Sequence, residues 1–191
     1  MRLKSVLVLA MIICISVTAY GDLYDITIGD DDGFGSGTPM VAGDDIWSMG
    51  PDDGDGTDRW VVGASENLSY IFTYNELAHV TYASLFVQYA DWPESYGDLW
   101  LDGVKVNYKF TKLYPWQQVA PWTVLNSTIN LNSYEYLLKD GYAKFEFIGT
   151  QTDYYAIDFL TLTVVPVPGA FILGCMGLGI AGLKMRKRKE L

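Results

Sequence analysis

Residues 68–74 read Leu68-Ser69-Tyr70-Ile71-Phe72-Thr73-Tyr74. In an extended chain successive side chains point to opposite faces, so Leu68, Tyr70, Phe72 and Tyr74 share one face and Ser69, Ile71 and Thr73 the other. The same period of two recurs along the chain. Tyr24, Ile26 and Ile28 alternate with Asp25 and Thr27, and Ala83, Leu85, Val87 and Tyr89 form one face of a further strand. Ala143, Phe145 and Phe147 alternate with Lys144 and Glu146, and a last strand from Ala156 to Val164 closes the domain. Leu99-Trp100-Leu101, Asp102-Gly103 and Val104-Lys105-Val106 read as a hairpin, because a two-residue turn needs positive φ and Asp-Gly tolerates it. One helical turn is expected at Asn132-Ser133-Tyr134-Glu135, a capping-box-like start with Gly141 past its end. A single short helix among about eight strands predicts an all-β fold, an antiparallel β-sandwich whose two sheets share one core.

The two ends are of another kind. Arg2 and Lys4 precede an apolar run from Val6 to Val17, and Val17-Thr18-Ala19 or Ala19-Tyr20-Gly21 offers small residues for cleavage. That is the pattern of a secretory signal peptide over residues 1–21, and the run of about a dozen residues is shorter than the roughly 20 a spanning helix needs. From Val164 to Leu183 no side chain is charged, long enough to cross a membrane as a helix, and Lys184, Arg186, Lys187, Arg188 and Lys189 follow. Cations beside a span stay in the cytoplasm, so the body lies outside. Cys14 and Cys175 both fall in these terminal segments, which leaves residues 22–164 without cysteine. A body of that length can bury a core without disulfides, and one domain is expected.

Val165-Pro166-Val167-Pro168-Gly169-Ala170, the glycine-rich apolar segment and the basic end together resemble the PEP-CTERM sorting tail of exported bacterial proteins. The resemblance covers residues 165–191. It implies recognition by an exosortase, a membrane peptidase acting near the proline motif, and delivery to the outer face of the membrane, the cell envelope or the extracellular matrix. Val167 stands where that family usually has Glu. Retention as a single-pass anchor is the rival reading.

The exported body carries 22 carboxylates against six Lys and Arg, a net charge of −16. Binding to nucleic acid requires clustered cations aimed at phosphates, and the body has only scattered ones. Eleven aspartates lie from Asp22 to Asp58 with no Lys or Arg among them. Asp30, Asp32, Asp53, Asp55 and Asp58 stand on glycine-bent loops, the way hard oxygen ligands converge on calcium. An EF-hand is not the pattern, because the twelfth position counted from Asp53 is Ala64. A solvated acidic loop is the plainer reading.

Ala83-Ser84-Leu85-Phe86-Val87, Asp91-Trp92-Pro93-Glu94-Ser95-Tyr96-Gly97, Leu101-Asp102-Gly103-Val104 and Ala156-Ile157-Asp158-Phe159 are similar to galactose-binding-like jelly rolls. Many members of that superfamily bind sugars and others serve in protein contacts, so fold analogy leaves function open. Sugar C–H faces stack on exposed rings, and Trp92, Tyr96, Trp100, Trp116 and Trp122 are the candidate carbohydrate-binding residues. Trp100 points opposite Leu99 and Leu101, outward if those leucines are core. Large rings are also ordinary sandwich filling.

No catalytic residue is assigned. His79 is the single histidine, and no Gly-x-Ser-x-Gly elbow is present. Two readings remain. The first is a non-catalytic structural or interaction protein of the envelope or matrix, and the second is a surface carbohydrate-binding module stabilised by calcium.

Overall fold

The computed structural model describes residues 23–46, 57–58, 61–62, 67–90, 97–108, 110, 122–149 and 154–167. The signal segment and most of the sorting tail lie outside them. No helix among the described residues is long and apolar enough to cross a membrane.

Among the described residues ten strands form two antiparallel sheets: β1 Tyr24–Gly29, β2 Asp45–Ile46, β3 Val61–Val62, β4 Asn67–Thr73, β5 Val80–Ala90, β6 Gly97–Leu101, β7 Val104–Lys105, β8 Trp122–Asn130, β9 Tyr142–Gly149 and β10 Tyr154–Pro166. The larger sheet runs β1-β10-β5-β8-β2, with β3 added to β10, and the smaller runs β4-β9-β6-β7. From β4 onward every connection but the β6–β7 hairpin crosses from one sheet to the other, the wrapping of a jelly roll.

The alternation seen in the sequence decides what fills the space between them. Leu68, Tyr70 and Phe72 of β4, Leu99 and Leu101 of β6, and Phe145 and Phe147 of β9 meet residues such as Leu85, Val87 and Tyr89 of β5 and Leu160 and Leu162 of β10 in one core. Phe72 meets Phe145 edge to face at 5.7 Å and Tyr70 meets Phe147 at 5.8 Å, the arrangement that ring quadrupoles favour. Complete burial of such a side chain contributes about 1.5–3 kcal/mol.

The Asp102-Gly103 turn has φ of 48° and 76° and joins Leu101 to Val104, as a two-residue hairpin requires. Asp102 does more than turn the chain. Its N–H donates to Lys144 O and its Oδ1 accepts the Lys144 N–H, both at 2.9 Å, which pins the hairpin to β9.

Two expectations are corrected. Asn132–Leu137 is a 3-10 turn with no side-chain cap, so the capping box does not form. The Asn132 carboxamide oxygen instead accepts the Ala83 N–H at 2.9 Å, tying the turn to β5. The last strand also runs past Val164: Val165 pairs with Tyr82 and Pro166 with Val80, and the Val167 N–H donates to His79 O at 3.0 Å. The first residues of the proline motif therefore belong to the folded domain.

Candidate functional site

At the end of β1 the chain leaves the larger sheet at Gly29, φ 81°. A Cβ there would lie 2.5 Å from Asp158 O and 2.7 Å from Thr57 Oγ1, so only glycine admits three segments at this point. The acidic run that follows is closed on Asp32. Its Oδ1 accepts the Gly35 N–H at 2.7 Å and its carbonyl accepts the Thr38 N–H at 2.8 Å. Phe34 then turns inward with φ 60° and packs with Ile46, Ala90, Val124 and Ala156 in a second small core, with Met40 against it. The β1–β2 connection thus covers one end of the outer face of the larger sheet. Gln88 Nε2 donates to Met40 O at 3.2 Å at the border of the covered region.

Under this connection the carboxylates gather. Ligand oxygens of Asp30, Asp32 and Asp58 lie within 4.8 Å of one another. Asp58 is 2% exposed, with φ 53° and its N–H donating to Ile157 O at 2.9 Å, so the backbone holds it against β10. Asp158, fully buried in β10, sits at a break in the β5–β10 register between Ile157 and Phe159. Its Oδ1 accepts the Phe34 N–H at 2.7 Å. Its Oδ2 is buried and meets no amide, hydroxyl or ammonium donor among the described residues.

Burial pushes the Asp158 carboxyl up to about 6, and the like charges of Asp32 and Asp31 add to the effect; the hydrogen bonds from Phe34 and with Asp58 only partly offset it. Asp30, Asp32 and Asp58 form a donor set for a hard divalent cation such as calcium, which takes six to eight oxygen ligands, and Asp158 adjoins it through Asp58. Such an ion would supply the charge that Asp158 Oδ2 lacks.

Of the aspartates singled out in the sequence, Asp30, Asp32 and Asp58 are brought together, while Asp53 and Asp55 lie outside the described residues. Asp158, which adjoins the cluster through Asp58, is not among the aspartates singled out in the sequence. The available signal was a carboxylate in the otherwise apolar strand Ala156-Ile157-Asp158-Phe159.

Among the aromatic candidates, Trp92, Tyr96 and Trp116 lie outside the described residues, and Trp122 opens β8. Trp100 faces outward from the smaller sheet, half-buried, beside Glu146 of β9 and Lys105 of β7 in the strand register. Leu99 and Leu101 are fully buried on the opposite face. Lys105 pairs with Asp98 at 2.6 Å and Lys144 with Glu146 at 2.8 Å, so acids and bases flank the indole. Exposed Ile71 and Tyr142 lie on the same face.

No protein-family model matches the chain, and no curated protein matches it. Among solved structures it is similar to dimeric latent PorU from Porphyromonas gingivalis, at 12% identity and TM-score 0.40, covering 78% of this chain and 13% of that one. It is also similar to a family 35 carbohydrate-binding module from Cellvibrio japonicus Abf62, at 13% identity and TM-score 0.39, covering 73% of this chain and 92% of that one. A family 35 module from an environmental isolate gives 12% identity and TM-score 0.38, with 75% and 98% covered. Scores and identities this low carry no argument about what this chain binds.

Proposed function

We propose that this chain is a non-catalytic carbohydrate-binding module, exported and sorted to the cell envelope by its C-terminal segment, with a calcium ion tying its acidic connection to the last strand. Trp100 carries the reading. A half-buried indole on a strand, flanked by Asp98, Lys105 and Glu146, offers an apolar plane for the C–H face of a sugar and charged groups for its hydroxyls. The strand holds the ring, so little ordering is left to occur on binding. The acidic cluster lies on the other sheet and serves stability. Sorting through an exosortase rests on the proline motif and the basic end. A structural role in the envelope needs no ring on that face, which is why it ranks second.

The test is a polysaccharide pull-down and glycan array on residues 22–167, wild type against Trp100→Ala. Retention on at least one glycan, weakened about tenfold in the variant, is the expected result. Equal retention of the two proteins would remove Trp100 from the account.

A further inference from the structure

The outer face of the larger sheet has two parts. Its covered end lies under the β1–β2 connection, and the rest is open. On the open part the register places Thr27, Thr161, Phe86 and Thr128 in one row across β1, β10, β5 and β8. The next row toward the covered end carries Phe159, Gln88 and Asn126. Phe86 and Phe159 are diagonal neighbours on the two central strands, with ring centroids 5.5 Å apart and planes 30° apart. Both are half-buried. They make one apolar surface two rings wide, in register with Gln88, whose Nε2 donates to Met40 O.

The two rows themselves are uncharged. These two rows contain no Lys, Arg, Asp or Glu, in a body of net charge −16. Of the carboxylates on these strands, Asp25 accepts the Thr163 hydroxyl at 2.8 Å, and Asp158, next to Phe159 in the chain, is fully buried and accepts the Phe34 N–H. An anionic partner would find no cation in these rows and would be repelled by the domain as a whole, and neither row offers a carboxylate to a cationic one. Neighbouring hydroxyls and a carboxamide beside two rings match a partner rich in C–H faces and hydroxyl groups. The inward positions of the same strands, Leu85, Val87 and Leu160, are already fully buried, so the outward pair is not needed to complete the core.

We propose that this face is a second binding platform, centred on Phe86 and Phe159, for an uncharged polysaccharide. It deepens the carbohydrate-binding reading but uses the sheet opposite Trp100. With one platform on each outer face, a single copy holds two chains and cross-links a matrix.

The variants are Trp100→Ala, the double change Phe86→Thr with Phe159→Thr, and all three together. Threonine already occupies neighbouring outward positions and favours strands, and unchanged far-ultraviolet circular dichroism with a cooperative melt confirms folding. Binding is read by affinity electrophoresis on neutral glucans, xylans and mannans, with polyuronates as the charged comparison. Cross-linking is read as turbidity of a soluble neutral glycan mixed with monomeric protein.

The expected result is that each face retains binding when the other is changed, that the triple variant binds nothing, and that turbidity needs both faces. Loss of all binding in Trp100→Ala alone would overturn the second platform and leave the Trp100 reading standing. Loss only with the two threonines would keep the platform and remove Trp100. Absence of binding by the wild type would overturn both readings. A dimer of the wild type converted to monomer by the two threonines, without effect on glycan, would assign the face to self-association and overturn the proposal.

Discussion

Asp158 and Phe34 are 124 residues apart in sequence and 2.7 Å apart in space, joined by the Phe34 N–H and Asp158 Oδ1. The contact fixes the first connection to the last strand, and it does so with a fully buried carboxylate. A buried charge is expensive when unpaired, so the join is conditional on how that charge is compensated.

Substitution at Asp158 separates the hydrogen bond from the charge. Asp158→Ala removes the acceptor for the Phe34 N–H and is expected to destabilise the domain by about 1–3 kcal/mol in any buffer. Asp158→Asn keeps a carbonyl oxygen for Phe34 and removes the charge. It is expected to melt at or above the wild-type temperature in EGTA and to lose most of the calcium-dependent rise. The wild type at 100-fold excess of calcium over its Kd should gain about 2.7 kcal/mol. Differential scanning fluorimetry of the three proteins with EGTA and with millimolar calcium decides it; a calcium-indifferent wild type would remove the ion.

The pH dependence without metal has a definite sign. The Asp158 carboxyl is raised in the folded protein to about 6 from an ordinary value of 3.8. Between these values the folded state binds more protons than the unfolded one, so this group stabilises the fold increasingly as pH falls from about 6 toward 4. Above 6 the penalty of the buried charge is fully present. In EGTA the melting temperature should therefore be higher at pH 5 than at pH 7.5, and Asp158→Asn should flatten that difference. A wild-type profile as flat as the variant's would contradict the assignment.

Gly29→Ala addresses the close approach of three segments. The substituted residue would sit at φ 81°, with its Cβ 2.5 Å from Asp158 O and 2.7 Å from Thr57 Oγ1. Backbone cannot yield as a side-chain tip can, so a loss of about 3 kcal/mol and a melting temperature lower by roughly 10 °C are expected. Gly37→Ala, in open space at φ 73°, should lose less, which isolates the steric part from the backbone part.

How far the sequence could be read depends on the range of the interaction. The strands were legible because alternation is local: Leu68, Tyr70 and Phe72 are buried and Ser69, Ile71 and Thr73 exposed, as a period of two requires. The Asp102-Gly103 turn was legible for the same reason. The capping box at Asn132 was misread because tertiary contact won. Its carboxamide serves the Ala83 N–H in a neighbouring strand instead of its own turn. Asp30, Asp32 and Asp58 could be named as acidic loop residues, but Asp158 joins them only through the fold. Trp100 was placed outward from its two leucine neighbours. Phe86 and Phe159 were not seen as a pair, because a diagonal contact across β5 and β10 depends on a register no single segment contains.

The extension of β10 bears on any processing of the tail. Val165 O accepts the Thr81 hydroxyl at 2.8 Å, Pro166 is buried opposite Val80, and the Val167 N–H is held by His79 O. A peptidase needs its substrate extended and free of other pairing, and freeing these residues means peeling the end of a central strand from β5. Cleavage after a folded domain has formed is therefore expected beyond Val167, giving a mature C-terminus at Pro168 or later. Intact mass of the protein from membrane and medium fractions reads the terminus directly. A mature chain ending at or before Pro166 would mean that processing precedes folding of β10, whereas a chain retaining Lys184 to Leu191 would identify the tail as an uncut anchor.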